Sequence, residues 1–104
     1  MFVGKFKVEI FPTAQDDLRS IVEYLNTLSP QVALKYYDLL VDKINKLSVL
    51  PERYPLARDE QLKLRGYRLL LVNNYIAFYV INNKSVEIRR ILYARRHYRE
   101  LLLN

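Results

Sequence analysis

At Gly66 the spacing of apolar residues changes period, and that change constrains the fold more than any other feature of the chain. Before it, Ala14, Leu18, Ile21, Val22, Leu25 and Leu28 step by three or four, and so do Ala33, Tyr36, Tyr37, Leu40, Val41, Ile44 and Leu47. That spacing lines one face of an α-helix in each case. Between the two sets stands Ser29-Pro30, a helix-capping hydroxyl followed by a proline at the first helical position, where its missing N–H costs nothing. So short a break predicts two helices folded back on each other as an antiparallel hairpin. After Gly66 the period is two. Tyr67 to Val72 and Tyr75 to Ile81 read as strands joined by Asn73-Asn74, because Asn tolerates the positive φ of two-residue hairpin turns. Asn82 to Lys84 predict a second turn and Ser85 to about Tyr93 a third strand.

The chain ends are shorter readings. KFKVEIF, residues 5–11, alternates like a half-buried strand. Pro12 interrupts it, and Thr13 with Asp16 resembles a capping box for the first helix. LPERYPLARDEQ, with Pro51 and Pro55, reads as an extended loop, and Ala94 to Leu103 as a short closing helix. The order is β-α-α-β-β-β. It predicts an α+β fold in one domain spanning residues 1–104, an antiparallel meander covered on one face by the helical hairpin.

Several chemistries are poorly served by this composition. No apolar run approaches the roughly 20 residues that span a bilayer. The alternating N-terminus is unlike the apolar core of a signal peptide, and with no cysteine there is no disulfide framework. A cytoplasmic location is the expectation. A single histidine without cysteine makes a poor zinc site. Asp16-Asp17 and Asp59-Glu60 are neighbours that point apart, so no metal pair is expected. With Gly4 and Gly66 the only glycines, no phosphate-cradling loop exists, and neither metal nor cofactor is expected.

Charge gives a positive indication. Lys plus Arg outnumber Asp plus Glu by 17 to 11, for a net charge of +6 and a pI near 9.7. The excess lies beyond residue 60, and RRILYARRHYREL, residues 89–101, holds five arginines and the one histidine. A concentration of this kind at a strand end suits a polyanion or an acidic protein partner. Arg65, Arg89, Arg90, Arg95 and Arg99 are the candidate contacts. Period two puts Arg90 on the face of Val86 and Ile88. Either the core has ended there, or a bulge shifts the phase, or the arginine lines an open groove, since an unpaired arginine is costly to bury. Tyr36, Tyr37, Tyr75, Phe78 and Tyr79 fit a core or a partner-binding groove.

The element order, Ser29-Pro30, LSVLPERYP, GYRLLLVNNYIAFYVIN and VEIRRILYARRHYRELL together resemble the RelE/ParE superfamily of type II toxins. The resemblance covers nearly the whole chain. It implies a small basic toxin that halts growth until a cognate acidic antitoxin wraps its surface. RelE-like members cleave mRNA on the ribosome, whereas characterised ParE-like members block DNA gyrase. RelE-like nucleases carry a basic residue directly after the tyrosine that opens the second hairpin strand; here Ile76 follows Tyr75. The preceding strand has Arg68 and then Leu70, where RelE has two lysines. These departures favour the ParE branch. Arg95-Arg96-His97-Tyr98 is similar to the Arg-x-His-Tyr ending of YoeB-type nucleases, although six residues follow it here.

Two principal readings follow, with a third behind them. The first is a ParE-like toxin that binds DNA gyrase. The alternative is a ribosome-dependent mRNA endonuclease. His97 would be its base. Tyr98 would orient or stack on a nucleobase, and Arg96 and Arg68 would clamp phosphate. In the plain structural reading His97 and Tyr98 open a surface helix, with Tyr98 packed on the sheet. The third is a non-toxic basic module that binds nucleic acid.

Overall fold

Ser29 does two jobs at the centre of the hairpin. In the computed structural model, which describes residues 5–103, its backbone N–H donates to Leu25 and closes α1 (Pro12–Leu28). Its hydroxyl accepts from Val32 N–H at 3.3 Å and opens α2 (Pro30–Asn45). At the other end, α1 does not start with the expected capping box. Pro12 takes the first helical position behind an extended Phe11, and Thr13 and Asp16 already lie inside the helix. Proline's fixed φ and absent N–H suit that position, so no side-chain cap is used.

The strands are β1 (Lys7–Ile10), β2 (Arg68–Val72), β3 (Tyr75–Asn82) and β4 (Ser85–Tyr93). The last three form the expected antiparallel meander, turning at Asn73 and Asn83, whose φ values are 53° and 57°. The hairpin carries the chain back across the sheet, so β1 joins β4 in parallel and the order is β1-β4-β3-β2.

Both faces of this sheet are covered, one more than expected. On the first, Ala14, Leu18, Leu40 and Ile44 of the hairpin pack on Val72, Ala77, Tyr79, Val86 and Ile88. On the second, Leu62 and Leu102 pack on Tyr67, Ile76, Phe78 and Leu92. These two leucines come from α3 (Glu60–Leu64) and α4 (Arg99–Leu103). The expected closing helix is present but starts only at Arg99. Helix α3 corrects the reading of residues 50–61 as wholly extended: Asp59 caps it by accepting from Gln61 and Leu62 N–H at 3.0 and 3.1 Å. β3 itself carried the sign of a two-sided sheet, since Tyr75 to Phe78 form an unbroken apolar run.

The segment between α2 and α3 is tied down by its carbonyls. Tyr79 Oη donates to Pro51 O at 2.6 Å, and Arg68 Nη1 donates to Tyr54 O at 2.6 Å and Glu52 O at 3.1 Å. Leu50, at the start of this segment, has a left-handed φ of 48° and an exposed side chain. A branched side chain there costs about 1–2 kcal/mol. Leu50→Asn is expected to raise unfolding free energy by roughly 1 kcal/mol in urea titration, because asparagine tolerates that conformation.

Burial pushes the Tyr79 hydroxyl up to about 12, against an ordinary 10.0. Folding therefore favours the protonated phenol. Its contribution is complete below about pH 10 and fades as pH rises toward 12. Stability measured across that window is expected to fall less steeply in Tyr79→Phe than in the wild type.

Candidate partner-binding site at the end of the sheet

Beyond residue Ile88 the outer edge of β4 has lost its neighbour, because β1 stops at Ile10 opposite Ile88. Two local events repair this. The pairing of β3 with β4 slips between Phe78/Arg90 and Tyr79/Ile88, so Arg89 is an extra, bulged residue. Asp17 of α1 then reaches the exposed edge. Its Oδ2 accepts from Ile91 N–H at 2.9 Å and from Arg90 Nε at 2.7 Å, while Oδ1 accepts from Arg90 Nη2 at 2.9 Å. The fork of the guanidinium matches the carboxylate, and this contact holds the arginine even further above its ordinary pKa. Of the three readings of Arg90, the bulge is therefore realised. The arginine is paired, and Ile91 takes the core place that period two assigned to it. Asp16 turns away to Arg19, so the two carboxylates do point apart.

Past Tyr93 the chain turns sharply. Ala94 N–H donates to Asn74 O at 2.7 Å and Arg96 N–H to Tyr93 O at 3.0 Å. Arg95, Arg96 and His97 are exposed on this corner, and the half-buried Tyr98 ring then packs on Phe78 with centroids 4.7 Å apart. This matches the plain reading of Tyr98 as a ring packed on the sheet.

The arginines of the basic cluster thus fall into two groups. Arg89 binds Glu87 at 2.7 Å and lies 5.0 Å over the Phe11 ring. Arg99 binds Asp59 at 2.5 Å, and Arg65 donates to Leu103 O at 3.2 Å. The Asp59 carboxyl is held below its ordinary value, first by Leu62 N–H and also by Arg99. With Arg90 on Asp17, four of the five candidate contacts have intramolecular partners, which leaves Arg95. Among the described residues, the side chains of Arg95, Arg96 and His97 have no hydrogen-bonded or ionic partner.

Two open hollows meet at Arg96. One, of about 740 Å³, is formed by Arg96, His97, Tyr98 and Arg99 with Asp59 and Glu100. The other, of about 550 Å³, lies between α1 and the sheet end, where Ser20, Ile21 and Tyr24 face Tyr75, Tyr93 and Arg96. There Tyr75 sits edge-on to Tyr36 and Tyr93, with centroids 6.0 and 5.8 Å away. Three of the four nuclease candidates share the first hollow. Arg68 does not: it lies beside Tyr79 on the face covered by the hairpin, opposite the face that carries Tyr98. The α1 contribution to the second hollow was missed, although Tyr24 follows Ile21 by three, the spacing that places both on one side of the helix.

The family described as the ParE toxin of the type II toxin–antitoxin system parDE matches residues 8–98. The chain belongs to that family. This ParE-family toxin is similar in fold to the chromosomal ParDE toxin–antitoxin system from P. aeruginosa, with TM-score 0.74 and 21% identity over 88% of this chain and 98% of the other. It is also similar to the RelBE2 toxin–antitoxin complex from Mycobacterium tuberculosis, with TM-score 0.61 and 23% identity over 88% and 94% of the two chains. No curated protein matches it. Family and fold agree with the sequence resemblance, and they place the chain as the toxin of a type II pair.

The Asp17–Arg90 pair is mostly buried, with side chains 12% and 18% exposed. Removing one member strands the other. Asp17→Ala in this ParE-family toxin is expected to cost about 3 kcal/mol in chemical denaturation. Asp17→Ala with Arg90→Ala is expected to cost less than the two single changes summed, which a double-mutant cycle measures.

Proposed function

We propose that this toxin arrests growth by binding DNA gyrase in the cytoplasm, with the Arg95–Arg96 corner as the principal contact, rather than by cutting RNA. The observation that supports this reading is that Arg68 lies on the hairpin-covered face, whereas Tyr98 packs on the opposite one, and Arg68 lines neither of the hollows that meet at Arg96. In-line cleavage of a phosphodiester needs base, acid and phosphate clamp around one phosphorus. Here one clamp residue is spent on the Glu52 and Tyr54 carbonyls. Ile76 and Leu70, at positions where RelE-like nucleases are basic, are buried and apolar. The uncompensated charge of Arg95 and Arg96 instead suits recognition of a macromolecular surface, where a guanidinium is a strong anchor. Arg90 serves that surface by fixing the strand that leads to the corner, and Arg65 and Arg99 by holding α4 behind it.

The nuclease alternative keeps one favourable observation. His97, Tyr98 and Arg96 line a single hollow. The readings separate on induction of the toxin without antitoxin. DNA synthesis is expected to fall before protein synthesis, with an SOS response, and purified toxin is expected to inhibit gyrase supercoiling. Arg95→Glu with Arg96→Glu should raise the inhibitory concentration by about tenfold or more. His97→Ala with Tyr98→Phe should leave it unchanged. An early fall in translation, with mRNA cut within codons and lost in the His97/Tyr98 variant, would establish the nuclease instead.

A further inference from the structure

Most arginines beyond residue 60 are bound to partners within the fold, whereas a set of cations at the other end of the sheet is not. Separate chain segments converge there. Lys7 N–H donates to Lys84 O at 2.8 Å, which sets the start of β1 beside the turn between β3 and β4. Phe6 N–H donates to Ser48 O at 2.8 Å and brings in the segment that follows α2. Arg53 Nη2 donates to Lys46 O at 3.1 Å, adding two more cations. Lys5, Lys7, Lys46, Arg53 and Lys84 are all exposed. Lys84 Nζ lies 5.3 Å from the centre of the Phe6 ring, which holds the ammonium at the start of β1. Among the described residues a single carboxylate binds any of the five. Asp42 meets Lys46 at 3.2 Å, with both side chains more than half exposed, and such a contact is worth little. This patch leaves no run in the sequence, because its members are scattered from residue 5 to residue 84. It lies where Lys7 pairs with Ser85 at the start of β4, whereas the Arg95–Arg96 corner follows Tyr93 at the end of that strand. The length of β4 puts about 26 Å between them.

We infer that this end of the sheet binds the phosphate backbone of double-stranded DNA, without reading its sequence. Four of the five cations are lysines, hydrated point charges on flexible stems that suit a row of phosphates. A single strand fits less well, because it needs open aromatic faces for its bases. The two rings at this end are capped by cations, Phe6 by Lys84 and Tyr54 by Arg53. A lipid surface fits less well too. The exposed apolar residues here, Val49 and Leu50, stand in a loop, whereas lying on a membrane takes the apolar face of a helix. The role of the site, though not its existence, rests on the gyrase reading: with the corner on the enzyme, this end would meet the duplex that gyrase carries.

The test is fluorescence anisotropy of a labelled duplex of arbitrary sequence, titrated with the full chain at several salt concentrations. The logarithm of affinity is expected to fall with the logarithm of salt by about 0.9 per phosphate contacted. Lys5→Gln, Lys7→Gln and Lys84→Gln together are expected to weaken binding about tenfold or more and to flatten that slope by roughly two to three. Lys5→Gln with Lys84→Gln carries the test alone if the change at Lys7, inside β1, alters the far-ultraviolet circular dichroism. Absence of duplex binding by the wild-type chain, or unchanged affinity and slope in these variants, would overturn the proposal. Tighter binding of a single strand than of the duplex would do the same. So would a loss confined to Arg95→Gln with Arg96→Gln, which puts the DNA at the corner, or binding of phosphatidylglycerol vesicles in place of the duplex. No gyrase is present in this measurement, so failure of the gyrase reading and failure of the DNA site give different results.

Discussion

A carboxylate on one helix finishes the work of a strand that ends too soon. Asp17 accepts from Ile91 N–H and from two nitrogens of Arg90, in the place where β1 no longer pairs with β4. Without it, a backbone donor at the sheet edge and a mostly buried guanidinium would both lack partners, and each is expensive to leave unpaired. Such a pair adds little net stability over an apolar replacement. What it fixes is geometry. It sets the position of α1 over the sheet end and the phase of β4 beyond the bulge. It also sets the direction in which the chain leaves toward Arg95 and Arg96. The hollow between Tyr24 and Tyr93 exists because these three are fixed together.

The other side of the sheet shows how the remaining basic residues are used. Helices of five residues such as α3 and α4 are too short to persist alone. They are held by Leu62 and Leu102 in the second core and by a set of polar ties. Arg99 joins the start of α4 to the cap of α3, while Arg65 and the Tyr67 hydroxyl donate to the carbonyls of Leu103 and Leu102. Much of the apparent basic surface is thus internal fastening. Net charge alone says nothing about which cations are free, because an arginine bound to a carboxylate and one facing solvent count alike.

Local pattern made most of the scaffold legible. The periods of 3.6 and two, the Ser29-Pro30 restart and the Asn turns were enough for the hairpin and the meander, because each is decided by residues a few positions apart. The features that escaped are of two kinds. Pro12 and Asp59 are helix starts whose signals were present but weaker than a competing reading, the Thr13 box in one case and the two-proline loop in the other. Asp17–Arg90 leaves no local trace at all, since its members are 73 residues apart. The bulge that brings them together shows in sequence only as an arginine where an apolar residue was due. The candidate site followed the same division. Arg95, Arg96 and His97 were visible as an unbalanced cluster, whereas Ser20 and Tyr24 join the site only through the tertiary placement of α1.

That division also bears on how a toxin can be held in check. Arg96 borders both hollows, while His97 lines only the one beside α4 and Tyr24 only the one beside α1. A partner seated against α1 and a partner seated on the corner would therefore share one strong anchor and differ in everything around it. Truncating a shared anchor weakens both complexes, but the apolar contacts that flank it can vary separately. Replacements at Ser20, Tyr24 and Tyr93 would then alter a partner held against α1 while leaving the surroundings of Arg95 unchanged.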